Sequence, residues 1–207
     1  SQNYDILILK NNFTRSALSF AQERLWFIDK YEVGTNAYNI PMIFKLSAEA
    51  RLDILEQSLN NIISRHEILR TLIKEDENGS GYQLILHEEE SKLKIKNIQN
   101  LTNKIELHST IKTEISHIYD LSHECQIKVC SYELQNVSNT ERYLSILIHH
   151  IAFDGWSSDV FLDELQVYYK HNLDCLNSAN SIMHLPELNI QYKDFALWQR
   201  SYLSGDK

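Results

Sequence analysis

Apolar side chains recur at Leu52, Leu55, Leu59, Ile62 and Ile63, a three-to-four spacing that lines one face of a helix running from behind Ser47 to about Arg65. A shorter helix is expected from Ser19 to Tyr31. Ser19 can cap it, Gln22 follows three residues on, and Leu25, Trp26 and Ile28 form its stripe. Between the two, Tyr38 to Leu46 alternates like a strand. Arg70–Lys74 and Tyr82–His87 read as short strands joined through Asn78-Gly79, whose glycine tolerates the positive φ of a tight hairpin. A third strand is expected over Leu93–Ile98. Leu101–Tyr119 carries Ile105, Ile111, Ile115 and Ile118 at near-helical intervals and reads as a helix.

Gln126–Leu134 and Tyr143–Phe153 are rich in β-branched and aromatic residues around the polar segment Gln135 to Thr140, and read as an antiparallel pair. After Gly155 the period changes. Val160, Phe161, Leu165 and Tyr168 predict a helix to about His171 that Ser157 or Ser158 can cap. A looser stretch, Leu173 to Leu188, leads to a last segment, Ile190 to Tyr202. This order predicts one α+β unit, a two-layer sandwich in which a mixed, mostly antiparallel sheet packs against helices on one side.

Composition narrows the function. With 43% hydrophobic and 23% charged residues, the 207-residue chain can bury a sizeable core. The net charge of −8 argues against nucleic acid and anionic membranes as partners. Apolar runs such as Ile6–Leu9 and Ile146–Ile148 fall far short of the roughly 20 residues a bilayer requires. The start shows no basic-then-apolar secretory pattern. Three cysteines, Cys125, Cys130 and Cys175, form no Cys-x-x-Cys pair, so a reducing cytoplasm is the expected setting. Five glycines and two prolines leave no linker-like stretch, and no fixed-period repeat is present.

The chemistry concentrates at His149-His150-Ile151-Ala152-Phe153-Asp154-Gly155, where a strand gives way to a helix. Successive strand residues face opposite ways, so one histidine is expected in the interior and the other in a cleft. That alternation weighs against His149, His150 and Asp154 converging on a metal at about 2.0–2.2 Å. A reactive histidine and two structurally satisfied histidines both remain open from spacing alone. Arg65-His66-Glu67-Ile68-Leu69-Arg70-Thr71 places two guanidinium groups at a helix end. They are either dipole-suited surface cations or, for one of them, the partner of a buried acid, with Asp154 the expected acid. Ser19 to Trp26 and Tyr192 to Gln199 read, taken singly, as amphipathic core segments.

Jointly these segments carry a resemblance. Ser19-x-Ala21-Gln22-x-Arg24-Leu25-Trp26, Arg65-His66-Glu67-x-Leu69-Arg70-Thr71, His149-His150-x-x-x-Asp154-Gly155-Trp156-Ser157 and Tyr192-x-Asp194-Phe195-Ala196-x-Trp198-Gln199 stand in order from about Thr14 to Tyr202. They resemble the first four signature motifs of the condensation domains of nonribosomal peptide synthetases. The resemblance implies a chloramphenicol acetyltransferase-like lobe, the N-terminal, donor-side subdomain over residues 1–207, with the C-terminal lobe of the V-shaped domain absent. It implies amide-bond formation between a donor acyl or peptidyl thioester and the amine of an acceptor aminoacyl thioester. Both would ride on 4′-phosphopantetheine arms of carrier proteins, with no metal or other cofactor bound by the chain itself. The implied partners are donor and acceptor peptidyl carrier domains, the missing lobe and an adjacent adenylation domain.

By the same resemblance His150 is catalytic and Gly155 belongs to the reaction centre. His149, Asp154, Arg65, Trp156 and Ser157 support it, with Asp154 paired to Arg65. The Asp154-Gly155-Trp156-Ser157 ending resembles the subtype that joins an L-donor to an L-acceptor, and heterocyclisation and epimerisation are disfavoured. Physically, glycine at 155 suits a close approach of backbone and substrate, and an N–H near it can stabilise a tetrahedral oxyanion. Two alternatives stand beside this: a carrier-docking module without chemistry, and a coenzyme A-dependent acyltransferase of the same superfamily.

Overall fold

The computed structural model describes residues 13–32, 34–135, 139–177, 183 and 185–204. The chain start with its Ile6–Leu9 run, the 136–138 part of the polar turn, and much of the stretch between 178 and 184 lie outside the described residues. Among the described residues, the strands and α-helices follow one another as β1 (Arg15–Ala17), α1 (Phe20–Tyr31), β2 (Asn39–Leu46), α2 (Leu52–Arg65), β3 (Thr71–Glu75), β4 (Gly81–Ile85), β5 (Lys96–Leu101), α3 (Lys104–Ile115), β6 (Ile127–Gln135), β7 (Thr140–His149), α4 (Gly155–Asn177) and α5 (Tyr192–Ser204). The α+β class expected from the pattern is the one observed.

The strands form two sheets. β2, β7, β6 and β5 lie side by side, antiparallel except for the parallel β5–β6 pair, and β1, β4 and β3 make a smaller antiparallel sheet. On β6, Ile127 and Val129 face the main core with Leu144, Ile146 and Ile148 of β7. Leu55, Leu59, Ile62 and Ile63 of α2 and Phe161 and Tyr168 of α4 cover that face. The alternate residues Cys130, Tyr132 and Leu134 pack with Leu107 and Ile111 of α3, which therefore covers part of the reverse face.

Local chemistry fixes the element ends. Ser19 caps α1 in a reciprocal capping box with Gln22, as its sequence predicts. Asp76 closes the β3–β4 hairpin by accepting from the Asn78 and Ser80 amides at 2.9 Å, and Gly79 takes φ +80°. Gly81 lies under the Trp26 ring, where a Cβ would stand 2.7 Å from Leu18 Cδ1 and 2.9 Å from Trp26 Cε3.

Four expectations shift. The third strand begins at Lys96, not Leu93, and joins the large sheet; α3 spans only Lys104–Ile115, capped by Asn103, with Ile105 and Ile118 in solvent. The strand expected to reach Phe153 ends at His149. There the Ala152 amide donates to the His149 carbonyl at 3.0 Å and turns the chain. Helix α4 starts at Gly155 and continues past His171 to Asn177.

Candidate active site

The end of β7 separates the paired histidines as the alternation predicts. His149 is 3% exposed, between Tyr38 and Tyr119, whose ring meets it edge-on with centroids 5.8 Å apart. Its Nδ1 accepts the Ile151 amide at 3.1 Å. Burial, with His150 next to it, pushes its pKa down from 6.5 to about 4, so the ring is neutral at pH 7. His150 stands exposed on the far side of the turn, its amide donating to the Tyr38 carbonyl at 2.8 Å.

The His150 ring is held by its own turn: Nδ1 lies 2.6 Å from the Phe153 carbonyl oxygen. A carbonyl only accepts, so Nδ1 carries the proton and the neutral ring presents a bare Nε2 lone pair. A hydrogen-bonded imidazole of fixed tautomer with an open nitrogen can accept a proton.

Asp154 is not buried beside Arg65, which corrects the expected pairing. Its Oδ1 accepts both the amide and the hydroxyl of Ser157, at 2.8 and 2.7 Å. It thereby caps α4, displacing Ser157 and Ser158 from the role expected of them. Those bonds, led by the Ser157 hydroxyl, hold its carboxyl below the usual range. A surface carboxylate at a helix N-terminus is solvated and dipole-stabilised there, and gains nothing from burial.

Arg65 does leave the surface, but for a different acid. Its Nε donates to Glu164 Oε1 at 3.0 Å and its Nη2 to the Pro186 carbonyl at 2.7 Å, while His66 Nε2 holds Glu164 Oε2 at 2.5 Å. Glu164 is 7% exposed. Sequence reasoning missed it, although the signal was present: 161, 164, 168 and 172 form the buried stripe of α4, so a carboxylate at 164 interrupts an apolar face and needs a cation.

Gly155 opens α4, and its amide has no hydrogen bond among the described residues. A Cβ there would meet nothing within 4 Å, so the chain's own packing does not require glycine at this position. Trp156 beside it is 87% exposed.

The four sequence segments converge. A cleft of about 650 Å³ is lined by Ala21, Gln22 and Leu25, by His66 and Ile68, by His150 to Asp154 and Ser157, and by Tyr192 and Phe195. Direct bonds tie its walls together. Ser19 Oγ and the Tyr192 hydroxyl lie 2.8 Å apart, Gln199 accepts the Phe20 amide at 3.0 Å, and buried Lys193 reaches Glu67 at 2.8 Å. Gln191 clamps the second segment by donating to the Arg65 carbonyl and accepting the Glu67 amide. The first and fourth segments thus build the wall, as their reading as packing elements anticipates, and the third places the His150 ring on the cleft. Among the described residues no cluster of three or more His, Cys, Asp or Glu has the arrangement of a metal site, and no helix is long and apolar enough to cross a membrane.

Comparison with known proteins gives this cleft a family. A relative from Amycolatopsis lactamdurans, N-(5-amino-5-carboxypentanoyl)-L-cysteinyl-D-valine synthase, is 35% identical over 190 residues, 92% of this chain. A linear gramicidin synthase of Brevibacillus parabrevis is 33% identical over 192 residues, 91% of this chain. The Penicillium chrysogenum N-(5-amino-5-carboxypentanoyl)-L-cysteinyl-D-valine synthase is 35% identical over 192 residues, so bacterial and fungal proteins both match. The chain spans about 5% of the length of the first of these. The X-domain from teicoplanin biosynthesis shares the fold with a TM-score of 0.80 at 23% identity, over 96% of this chain and 40% of that one. The epimerization domain from the third module of tyrocidine synthetase B shares it at 0.75 and 18% identity, over 96% of this chain and 43% of its own. Residues 13–207 match the family model described as the condensation domain, and the chain belongs to that family.

Proposed function

We propose that this chain is the donor-side lobe of a nonribosomal peptide synthetase condensation domain, and that His150 is the residue that handles the proton when an amide bond forms. The neutral amine of an acceptor aminoacyl thioester attacks the donor thioester carbonyl. A C–N bond forms, the C–S bond breaks, and one proton moves from nitrogen to the departing thiolate. The observation that carries the reading is the His150 ring: its Nδ1–H is committed to the Phe153 carbonyl, which leaves Nε2 as its acceptor, and His150 lines the cleft where all four segments meet. A thioester is already activated, so holding the two reactants together supplies much of the rate, up to about 7–11 kcal/mol, and a base adds about 10²- to 10⁴-fold.

In this reading Gly155 offers its unpaired amide to the developing oxyanion, and its missing side chain leaves space for the substrate rather than for the chain itself. Asp154 and Ser157 set the start of α4, Trp156 flanks it, His149 shapes the turn from below, and Arg65 anchors the second segment through Glu164. The Asp-Gly-Trp-Ser ending supports the subtype joining L-donor to L-acceptor. The named relatives are peptide synthetases, which supports substrates on carrier-protein phosphopantetheine arms, with an adenylation domain and a second lobe as neighbours, over free coenzyme A.

The test is complementation. The chain is combined with a separately produced second lobe and two loaded carrier proteins, and the acceptor carrier is analysed by mass spectrometry. A dipeptidyl thioester is expected. Its absence, with both carriers shown to be loaded and the lobes shown to associate, overturns the assignment.

A further inference from the structure

A second imidazole on the cleft is held as firmly as His150. His66 ends α2, but the helix end does not use its side chain: its amide donates to the Ile62 carbonyl at 2.9 Å and its carbonyl accepts the Leu69 amide at 3.0 Å. The ring instead bonds Glu164 through Nε2, and Glu164 is fixed in turn by Arg65. Opposite that bond, Nδ1 has no hydrogen bond among the described residues and is not among their buried unsatisfied atoms. In the neutral ring the Nε2 proton is spent on the carboxylate, so Nδ1 is a bare acceptor. His66 lines both the cleft that holds His150 and an adjoining apolar hollow of about 300 Å³ formed with Ile68, Leu69, Phe153, Val160 and Phe161. A carboxylate that orients the imidazole of a cavity-lining histidine fixes which ring nitrogen is left as the acceptor.

We propose that His66, oriented by Glu164, is a second substrate-contacting residue of the cleft, accepting at Nδ1 a hydrogen bond from an N–H of the aminoacyl or peptidyl substrate. Glu164 is its positioning residue and touches no substrate. The proposal rests on the condensation reading, and its test separates the two.

Two substitutions carry the test. Asn places an amide oxygen near the position of Nδ1, so His66→Asn keeps the acceptor, whereas His66→Leu fills the space without one. In the complemented reaction His66→Leu is expected to lower kcat/KM about tenfold, mainly through KM, and His66→Asn, which keeps the acceptor but loses the bond to Glu164, to lose clearly less than His66→Leu. Thermal melts of both variants establish that they fold. Equal turnover by His66→Leu and the parent overturns the proposal, as does an equal loss in both variants.

A second readout does not depend on turnover. Long-range ¹H–¹⁵N spectra of the full chain should show the His66 proton on Nε2, and the Nδ1 resonance should move when an N-acetyl aminoacyl pantetheine amide is added. A proton on Nδ1, or an unmoved resonance at saturation of the analogue, overturns the role of His66 even if the parent forms no peptide.

Discussion

Removing Arg65 should unmask which acid it serves. With Arg65→Ala, the Glu164 carboxylate keeps one partner among the described residues, His66, in a site where the two side chains of the ion pair are 13% and 9% exposed. A nearly buried charge deprived of its main partner costs about 3–5 kcal/mol, and the remaining imidazole places the expected loss near the lower end, about 3 kcal/mol. Asp154→Ala removes an exposed helix cap and should cost about 1 kcal/mol. The decisive quantity is the coupling between sites. Arg65→Ala combined with Glu164→Ala should be milder than the sum of the single changes by about 1 kcal/mol or more, since both ends of one pair are gone. Arg65→Ala combined with Asp154→Ala should add within about 0.5 kcal/mol, because the two side chains share no partner. Urea unfolding followed by circular dichroism measures the three single variants and the two double variants, with an unchanged m-value confirming that midpoints report stability. Coupling between Arg65 and Asp154, with none between Arg65 and Glu164, would refute the reasoning.

Other outcomes follow from single positions. His149 is held neutral with its pKa near 4 against 6.5 when unfolded, so the unfolded chain takes up the proton first. Stability is fully present above about pH 6.5 and falls as pH drops towards 4, by about 3 kcal/mol in all, and His149→Gln should flatten that slope in urea midpoints measured across the range. Gly81→Ala forces a methyl against Leu18 and Trp26 and should destabilise by about 1–3 kcal/mol in the same unfolding assay. Gly155→Ala meets no neighbour, so its melting temperature should match or exceed the parent's while peptide formation in the complemented reaction falls. A Gly155→Ala protein that melts early would show that the glycine serves the fold.

Much of this fold was legible wherever a local rule had no competitor. The α2 stripe, the Ser19–Gln22 box and the Asn78-Gly79 turn each follow from spacing or from one backbone requirement, and each stands where its pattern places it. β5 was harder, because Lys96, Asn97, Gln99 and Asn100 show no buried alternation; a parallel edge strand is defined there by its backbone bonds to β6. In α3 the isoleucines suggest one stripe, but Leu107 and Ile111 are the residues that reach the core, and tertiary packing selected the face.

At the site, alternation divided His149 from His150 correctly, although His150 already stands in the turn that follows the last strand residue, His149. The partner of Arg65 could not be assigned that way. Asp154 carries two readings in sequence, buried ion and helix cap, and the Ser157 amide three residues on favours the cap. Glu164 is signalled in the sequence only by its spacing from Phe161 and Tyr168, and the buried face of α4 turns that spacing into a partner for Arg65.

The central claim is that His150, through its open Nε2, moves the proton of the attacking amine. A rapid-quench single-turnover experiment with loaded donor and acceptor carriers, comparing the parent chain with His150→Ala in complex with the second lobe, tests it most directly. The expected result is a chemical step slowed by about 10²- to 10⁴-fold in the variant, with donor-carrier affinity unchanged. Equal single-turnover rates in the two proteins would contradict it.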